Sequence, residues 1–512
     1  MVTFRSIKYA EVIAAAFALL SLTSCLTEVN QDNPYDPTLP AHWRQTDSAE
    51  SDDTATTAAA EETEASAEST DEAESTTAAV SETETAQLKG NFYDINGKLL
   101  MHSVPDEYGV ERRYAPEQYK VAFANILSSM SCGFDDTFSE TLRVKNPTPV
   151  GGDDITGRSV QLTIDADIQN AVYQYMQSTN LVGSVVVMRT DGSIMSEVSY
   201  PSYDPDLYIA DPSYAESLPW GAFGNKAFQN AAPGSCFKIM SEVISDKHGI
   251  NVLPDDGIWS DSGTTILNWD YDTNYNYPIT ERTLSSAFVN SSNVFFAKAF
   301  NEIGTADVLK DLNDIFHFGT EADIYCDFGP LENTITINCS DDLRRSAFGQ
   351  SYVQTCPIYL AALGREAVFG DMVKPFVVKN IVDTNNCSEI IESGSRSYEI
   401  IGTIPEKYRQ NLLDGMQAVA SNLGIPVHEN YTLYAKTGTA SVGEGEFLYI
   451  TGILANKNDR TSEKNVYKDY SDYKSDGSYI IVMQIQNPYD HGLDYASEAA
   501  WFYKGLIDII LS

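Results

Sequence analysis

Residues 231–240 read AAPGSCFKIM and place a serine, Ser235, three positions before a lysine, Lys238. Pro233 and Gly234 break the chain just ahead of this pair, as a loop does before a helix begins. Residues three apart on a helix share a face, so the Lys238 amine can point at the Ser235 hydroxyl. A serine hydroxyl is a poor nucleophile at neutral pH and needs such a neighbouring base. The segment therefore predicts a helix that carries a serine nucleophile and its lysine base.

A second motif follows in residues 285–296, which read SSAFVNSSNVFF. Ser291 can bridge Lys238 to another cation and pass a proton to a leaving amine. Asn293 has both a donor and an acceptor in its side chain, which suits the backbone amide of a bound peptide. We therefore expect this motif to form the second wall of the same site.

A third motif, Lys-Thr-Gly-Thr, lies in residues 433–442 within a β-rich stretch. Lys436 can supply a positive charge that lowers the pKa of the base. Gly438 lets a substrate strand lie close, and the Thr437 and Thr439 hydroxyls can hold a terminal carboxylate. The backbone N–H groups of the nucleophile and of Thr439 are our candidates for stabilising a tetrahedral oxyanion.

The order of these motifs carries more information than any one of them. In a chain of 512 residues each occurs readily by chance, and Lys-Thr-Gly is usually part of a turn. Together they supply a nucleophile, a base, a proton relay, an amide anchor and a carboxylate clamp. That set predicts serine attack on a peptide carbonyl without histidine.

The motifs and their contexts resemble the transpeptidase domain of penicillin-binding proteins, most closely the monofunctional class B type. The resemblance runs from about Lys89 to the C-terminus. It is carried by GRSVQLTIDADIQNAV at 157–172, FGNKAFQNAAPGSCFK at 223–238 and AFGQSYVQTCPIYLAALGREAVFGD at 347–371.

The resemblance implies an α/β fold of the penicillin-binding-protein and serine β-lactamase type. Such a fold has an antiparallel sheet flanked by helices, a helical lobe and a small N-terminal pedestal domain. Carried over by position, the catalytic residues are Ser235, Lys238, Ser291 and Asn293, and the substrate-binding residues are Lys436, Thr437, Gly438 and Thr439.

The activity implied is that of a serine D,D-transpeptidase that cross-links peptidoglycan stem peptides ending in D-Ala-D-Ala and is acylated by penicillin and other β-lactams. A D,D-carboxypeptidase or a β-lactamase would use the same acyl-enzyme, with water as the acceptor. A non-catalytic cell-wall scaffold or β-lactam sensor is a further alternative. No metal or organic cofactor is implied.

Secondary structure can be predicted around the motifs. Strands 185–188 and 194–200 pair about an Asp-Gly turn at residues 191–192. Further predicted strands cover 434–439, 449–455 and 479–486. Predicted helices cover 284–300, 357–368 and 497–511.

The chain has a formal net charge of -40, which argues against nucleic-acid partners. Residues 45–88 hold no lysine or arginine and are rich in Ser, Thr, Ala and acidic side chains, so a disordered linker is predicted there. The resulting domain prediction is a signal peptide at 1–24, a linker at 25–88, a short pedestal at 89–157 and a transpeptidase domain at 158–512.

The N-terminus predicts export and anchoring. A short basic region precedes an apolar run at 12–22, which is too short to span a bilayer comfortably. Residues 22–25, Leu-Thr-Ser-Cys, resemble a lipoprotein cleavage site, with Cys25 as the lipid attachment residue. An uncleaved membrane anchor is the alternative. Either places the enzyme at the extracytoplasmic face of the bacterial plasma membrane, where cell-wall assembly membrane proteins are possible partners.

The remaining six cysteines show no disulfide framework and no zinc-ligand spacing. Cys236 stands where the family often has threonine, and Ile95 replaces a frequent arginine. Because Cys236 lies inside the first motif next to apolar neighbours, we expect it to be a buried structural thiol.

Overall fold

A computed structural model describes residues 86–128, 133–148, 155–261, 264–268, 280–319, 324–394, 399–443, 445–459 and 477–512. These belong to one compact unit. Cys25, the predicted signal peptide and most of the predicted linker lie outside the described residues. The described chain begins at Ala86, inside the predicted linker, and its N–H donates to the Arg143 carbonyl over 2.7 Å.

The strands are short outside the central sheet. In chain order they are β1 Phe92–Tyr93, β2 Leu99–Pro105, β3 Glu111–Tyr114, β4 Ser159–Leu162, β5 Gly183–Arg189, β6 Ile194–Tyr200, β7 Val252–Asp255, β8 Ile258–Asp261, β9 Thr264–Leu267, β10 Thr280–Thr283, β11 Ile324–Cys326, β12 Gly329–Leu331, β13 Thr334–Ile335, β14 Val353–Gln354, β15 Asp371–Val373, β16 Val378–Val382, β17 Ile390–Ser393, β18 Ile400–Thr403, β19 Tyr431–Val442, β20 Gly445–Asn456 and β21 Tyr479–Gln486.

The helices supply the layers around the sheets. In chain order they are α1 Lys120–Leu127, α2 Phe134–Thr137, α3 Ser139–Arg143, α4 Ala166–Thr179, α5 Pro205–Ala210, α6 Lys238–Lys247, α7 Leu284–Val289, α8 Asn293–Ile303, α9 Thr305–Phe316, α10 Ser340–Ser346, α11 Pro357–Phe369, α12 Glu406–Leu423 and α13 Ala500–Leu511. Within the described part of the chain, no helix has both the length and the apolar character needed to cross a bilayer.

The central sheet has five antiparallel strands in the order β19-β20-β21-β5-β6. Strands β21 and β5 are buried along their whole length, which explains why most of their residues are apolar. Helix α11 packs on one face, where Gly364 meets Thr451, and α13 packs on the other, where Tyr503 meets Gly452. Neighbouring strand residues point to opposite faces, so the sheet is covered on both sides. This confirms the predicted antiparallel sheet flanked by helices.

A second, six-stranded sheet has the order β17-β16-β4-β1-β2-β3. Strand β4 pairs with β1 on one side and with β16 on the other. Residues from the predicted pedestal and from the predicted transpeptidase domain thus share one sheet. The division at residue 157 stays a prediction about domains, and the structure joins the two parts through backbone hydrogen bonds.

Most predicted elements have the predicted type, with ends that differ by a few residues. Strands 194–200 and 479–486 are confirmed as β6 and β21. The helix predicted over 284–300 is wrong as a single helix, because it is divided into α7 and α8 at residues 290–292. The helix predicted over 497–511 begins with a 3-10 turn, Ala496–Ala499, before α13.

Candidate active site

Ser235 lies on a 3-10 turn, Gly234–Phe237, and α6 begins at Lys238. This corrects the prediction that both residues sit on one helix, although the turn still directs the two side chains together. Gly234 has φ +54°, and a Cβ there would stand 2.3 Å from the Thr439 carbonyl oxygen. The turn therefore packs directly against β19, with no side chain between the two backbones.

The Lys238 amine is the centre of the cluster. It is fully buried and lies 2.9 Å from Ser235 Oγ. It also lies 2.7 Å from the Ser291 carbonyl oxygen, 3.1 Å from Ser291 Oγ and 2.8 Å from Asn293 Oδ1. Four oxygen atoms from three motif residues thus surround one nitrogen. The three residues that carry these oxygens are each partly exposed, so a substrate can reach them while the lysine stays shielded.

Lys436 approaches the same serine from the central sheet. Its Nζ lies 3.1 Å from Ser291 Oγ and 3.0 Å from the Thr437 carbonyl oxygen. Ser291 Oγ is therefore within hydrogen-bond distance of both lysines. The structure thus brings together residues 235, 238, 291, 293 and 436, which the sequence separates by up to about two hundred positions.

Burial changes the acid–base properties of both lysines. Burial, followed by the nearby charge of Lys436, lowers the pKa of Lys238 well below its ordinary value. Burial lowers the pKa of Lys436 to about 8. Lys238 is therefore the amine that loses its proton first, and Lys436 keeps its charge up to a pH of about 8.

Ser291 has an unusual backbone conformation. Its φ is +54°, in the left-handed region that residues with a side chain rarely adopt. The Ser291 N–H donates to the Phe288 carbonyl over 3.1 Å, and the Ser292 N–H donates to the Ala287 carbonyl over 2.8 Å. These bonds close the turn between α7 and α8. Because the strained residue is also the one between the lysines, this turn sets the position of the Ser291 hydroxyl.

Asn293 is already engaged on both sides of its amide group. Its Oδ1 accepts from Lys238, and its Nδ2 donates to the Leu267 carbonyl over 3.0 Å. The side chain holds the lysine as well as facing the cleft. Binding of a substrate amide by Asn293 remains a prediction.

The Lys-Thr-Gly-Thr motif lies on β19 at the edge of the central sheet. Thr439 is exposed and Thr437 is partly exposed, and the two share one face of the strand. Gly438 is buried, and a Cβ there would stand 2.8 Å from the Pro233 carbonyl oxygen and 3.0 Å from Cys236 Sγ. The structure thus gives a reason for glycine at position 438 that the sequence did not suggest. The turn that carries Ser235 packs too closely against β19 to leave room for a side chain there.

Cys236 is fully buried beneath the site. The Thr451 hydroxyl lies 3.6 Å from Cys236 Sγ, and the Lys436 carbonyl oxygen lies at the same distance. Burial raises the pKa of the Cys236 thiol, so the thiol stays protonated at neutral pH. These contacts fit the expected structural thiol.

Two residues behind the second motif were not predicted from the sequence. Asp255 and Asn268 lie on or next to the short strands β7 and β9, and both contact Ser292. The available signal was Ser292 itself, because serine before an apolar helical run is an N-cap pattern. In the described residues, no cluster of three or more His, Cys, Asp or Glu side chains could hold a metal ion.

Comparison with known proteins adds to this geometry. A family model described as the penicillin binding protein transpeptidase domain matches residues 183–500. Peptidoglycan D,D-transpeptidase FtsI homolog from Mesostigma viride is 25% identical over 453 residues, which cover 77% of this chain and 72% of that protein. Peptidoglycan D,D-transpeptidase PbpA from Mycolicibacterium smegmatis is 25% identical over 398 residues, which cover 68% of this chain and 76% of that protein.

A solved structure is similar over nearly the whole described fold. Penicillin-binding protein A from M. tuberculosis, determined as a ceftriaxone acyl-enzyme complex, superposes with a TM-score of 0.67 and 19% identity. The superposition covers 83% of this chain and 99% of that chain. The predicted fold type is thereby confirmed.

Proposed function

The chain belongs to the class B penicillin-binding protein transpeptidase family, and we propose that it cross-links peptidoglycan stem peptides through an acyl-enzyme on Ser235. The observation that carries the proposal is the convergence of Ser235, Ser291 and Asn293 on the buried Lys238 amine. Acyl transfer by serine requires a base that contacts both the nucleophile and the proton relay.

Hydrogen bonding supports Lys238 as the base. A neutral amine has two N–H groups and one lone pair. The Ser291 carbonyl oxygen and Asn293 Oδ1 can only accept, so they take the two N–H groups. The lone pair is then left for the Ser235 hydroxyl proton, 2.9 Å away between heavy atoms. The lowered pKa of Lys238 favours this neutral form.

The reaction then proceeds in two halves. Ser235 Oγ gives its proton to Lys238 and bonds to the penultimate D-alanyl carbonyl carbon, and the backbone N–H groups of Ser235 and Thr439 receive the oxyanion. The proton passes by way of Ser291 to the amine of the leaving D-alanine as the peptide bond breaks. An amine of a second stem peptide then attacks the ester carbonyl carbon, and its proton passes by way of Lys238 to Ser235 Oγ as the ester bond breaks. The cross-linked peptide is released.

The third motif supplies the substrate's binding site in this proposal. Thr437 and Thr439 share one face of the edge strand β19, where their hydroxyls hold the terminal carboxylate of D-Ala-D-Ala. The positive charge of Lys436 attracts the same carboxylate, and it also lowers the pKa of Lys238. A β-lactam presents a carboxylate and an acyl carbon in a similar arrangement, so it acylates Ser235.

Labelling with a fluorescent penicillin tests this function. We expect stable label on Ser235, located by peptide mass spectrometry, and none on Ser235→Ala. Ser421→Ala removes an exposed hydroxyl on α12 and should label normally. Rapid loss of label would favour a β-lactamase, and folded protein without label would favour the scaffold or sensor. A last measurement separates transpeptidase from carboxypeptidase by comparing D-alanine release with formation of cross-linked peptide dimers when an amine acceptor is present. A transpeptidase forms dimers as it releases D-alanine, whereas a carboxypeptidase releases D-alanine without them.

Anchoring at the outer face of the plasma membrane is a second part of the proposal. It rests on the N-terminal sequence, with Cys25 as the lipid attachment site after removal of residues 1–24. Residues 25–88 would be a linker that separates the catalytic domain from the membrane, 89–157 the pedestal and 158–512 the transpeptidase domain. Mass spectrometry of the mature N-terminus should show an acylated Cys25. An unmodified chain that begins at Met1 would contradict it.

A further inference from the structure

We propose that Asp255 is a positioning residue, which holds the second motif on Lys238 by way of Ser292. The inference rests on the proposed acylation of Ser235. It concerns a buried carboxylate that contacts neither the lysines nor the nucleophile but accepts from the side chain of Ser292, which lies between Ser291 and Asn293.

Asp255 is 2% exposed and stands at the end of β7. One oxygen, Oδ1, accepts from the Gly257 N–H at 2.9 Å and from Asn268 Nδ2 at 3.1 Å. The other, Oδ2, accepts from Ser292 Oγ at 2.5 Å and from Arg282 Nε at 2.8 Å. Each oxygen thus has two donors, and Arg282 balances the charge.

Ser292 connects this carboxylate to the helix that carries the second motif. It is the N-cap of α8, and its Oγ accepts from the Phe295 N–H over 3.0 Å while its single proton goes to Asp255. Asn268 Oδ1 accepts from the Val294 N–H, two residues further along the same turn, over 3.1 Å. The first turn of α8 is therefore tied to β7 and β9 by side chains that meet at Asp255.

The consequence falls on the two residues beside Ser292. Ser291 has φ +54°, which persists only where the surroundings determine it. Asn293 reaches Lys238 on one side and the Leu267 carbonyl on the other, and Leu267 precedes Asn268. Without the carboxylate, Ser291 is free to leave the left-handed region and α8 is free to shift, and the relay and the amide then lose their contacts with Lys238.

The test compares Asp255→Asn and Ser292→Ala, singly and combined, in acylation by a fluorescent penicillin. An amide at position 255 would place an N–H₂ group against two donors, and alanine at 292 removes the link. We expect the limiting acylation rate at saturating penicillin to fall about tenfold to a hundredfold, with the half-saturating concentration changed less than about threefold. The burst amplitude gives the number of folded molecules, and each rate is expressed per folded molecule.

Because both changes break one connection, the combined variant should lose no more than about the larger single loss. Thr283→Ala is the matched control, since Thr283 caps the preceding helix α7 by accepting from the Ser286 N–H and is exposed. It should acylate at the normal rate.

A normal acylation rate in Ser292→Ala, or losses that multiply in the combined variant, would overturn the inference, even if Asp255→Asn does not fold. Absence of label on wild-type Ser235 would instead refute the proposed function. The two failures are therefore distinguishable.

Discussion

At the level of single residues, the central feature of the site is a serine hydroxyl that lies between two lysine amines. Lys238 and Lys436 are both fully buried, and Ser291 Oγ lies 3.1 Å from each nitrogen. Burial alone lowers the pKa of each amine, and the charge of Lys436 lowers the pKa of Lys238 further. Because a lowered pKa favours the neutral amine, Lys238 suits the role of a base, and the charge of Lys436 beside it suits an anion-binding group.

Replacement of Lys238 by methionine tests both its role and its energetic effect. Lys238→Met keeps an unbranched side chain one atom shorter and removes the amine, so acylation should fall by about 10³-fold or more. A lysine whose pKa is lowered in the folded state binds a proton more weakly there than in the unfolded chain. Lowering the pH therefore destabilises the folded state increasingly. The variant should be more stable at pH 7 by about 1–3 kcal/mol, with a smaller gain at pH 9. Urea unfolding at the two pH values measures this.

Normal acylation in Lys238→Met would exclude this lysine as the base. Lys457→Met provides a control, because Lys457 is exposed at the end of β20. It should alter neither the acylation rate nor the dependence of stability on pH.

The alkaline side of the pH profile should report Lys436. Its pKa of about 8 predicts that acylation falls as pH rises above about 8, because the ammonium that attracts the substrate carboxylate becomes neutral. Arginine keeps its charge throughout this range, so in Lys436→Arg the decline should disappear, even if the rate is lower overall. Measurement of the acylation rate constant from pH 6 to 10 decides this. A decline that persists unchanged in the arginine variant would assign it to another group.

At the scale of elements, the site depends on close contact between a turn and a strand. The 3-10 turn that carries Ser235 rests on β19, and glycine at positions 234 and 438 allows the two backbones to meet. Hydrogen bonds of the central sheet hold β19 along its whole inner edge. Ser235, the proposed nucleophile, is thus positioned by the sheet as well as by the turn that carries it.

Alanine at position 438 should separate these two elements. The added methyl group would stand 2.8 Å from the Pro233 carbonyl oxygen, which is a backbone atom and cannot turn aside. We expect a loss of about 1–3 kcal/mol in the free energy of unfolding. The acylation rate should fall as well, because Ser235 moves relative to Lys238 and Thr439. Ser441→Ala, at an exposed position of the same strand, should change stability by less than about 0.5 kcal/mol.

At the scale of the whole molecule, the N-terminal residues and the catalytic part share one interior. The core that contains Phe92 and Leu100 also contains Val160, Val185 and Phe237. Strand β4 has partners on both sides, one from residues 92–93 and one from residues 378–382. The six-stranded sheet therefore joins segments almost three hundred residues apart in the chain.

Removal of the N-terminal strands should abolish folding. A chain beginning at Arg158 would lose β1, β2 and β3, uncover the edge of β4 and expose the cavity left by Phe92, which is fully buried. It should show no cooperative unfolding transition and no acylation. A chain beginning at Ala86 retains the described fold and should unfold cooperatively and acylate normally. A soluble, cooperative and active 158–512 chain would contradict the prediction.

Local patterns in the sequence were sufficient to identify the family and the main elements. Spacing of three between Ser235 and Lys238 is enough to bring the side chains together, even though the structure forms a 3-10 turn there and not a longer helix. Strands β6 and β21 were predicted to their ends because apolar runs bounded by turn residues reflect burial directly. The order of the three motifs, together with the chemical roles that their residues can fill, predicted that they converge.

Three features became visible only in the folded protein. They are the break between α7 and α8, the close packing that requires glycine at 438, and the hydrogen bond that connects Asp255 to Ser292. Each depends on a contact between segments distant in the chain, and neither propensity nor periodicity carries information about such contacts. The left-handed backbone of Ser291 is the clearest case, because serine has no local preference for it. Local sequence patterns were enough to nominate the reactive side chains, whereas the packing of distant strands and turns fixed where each of these side chains lies.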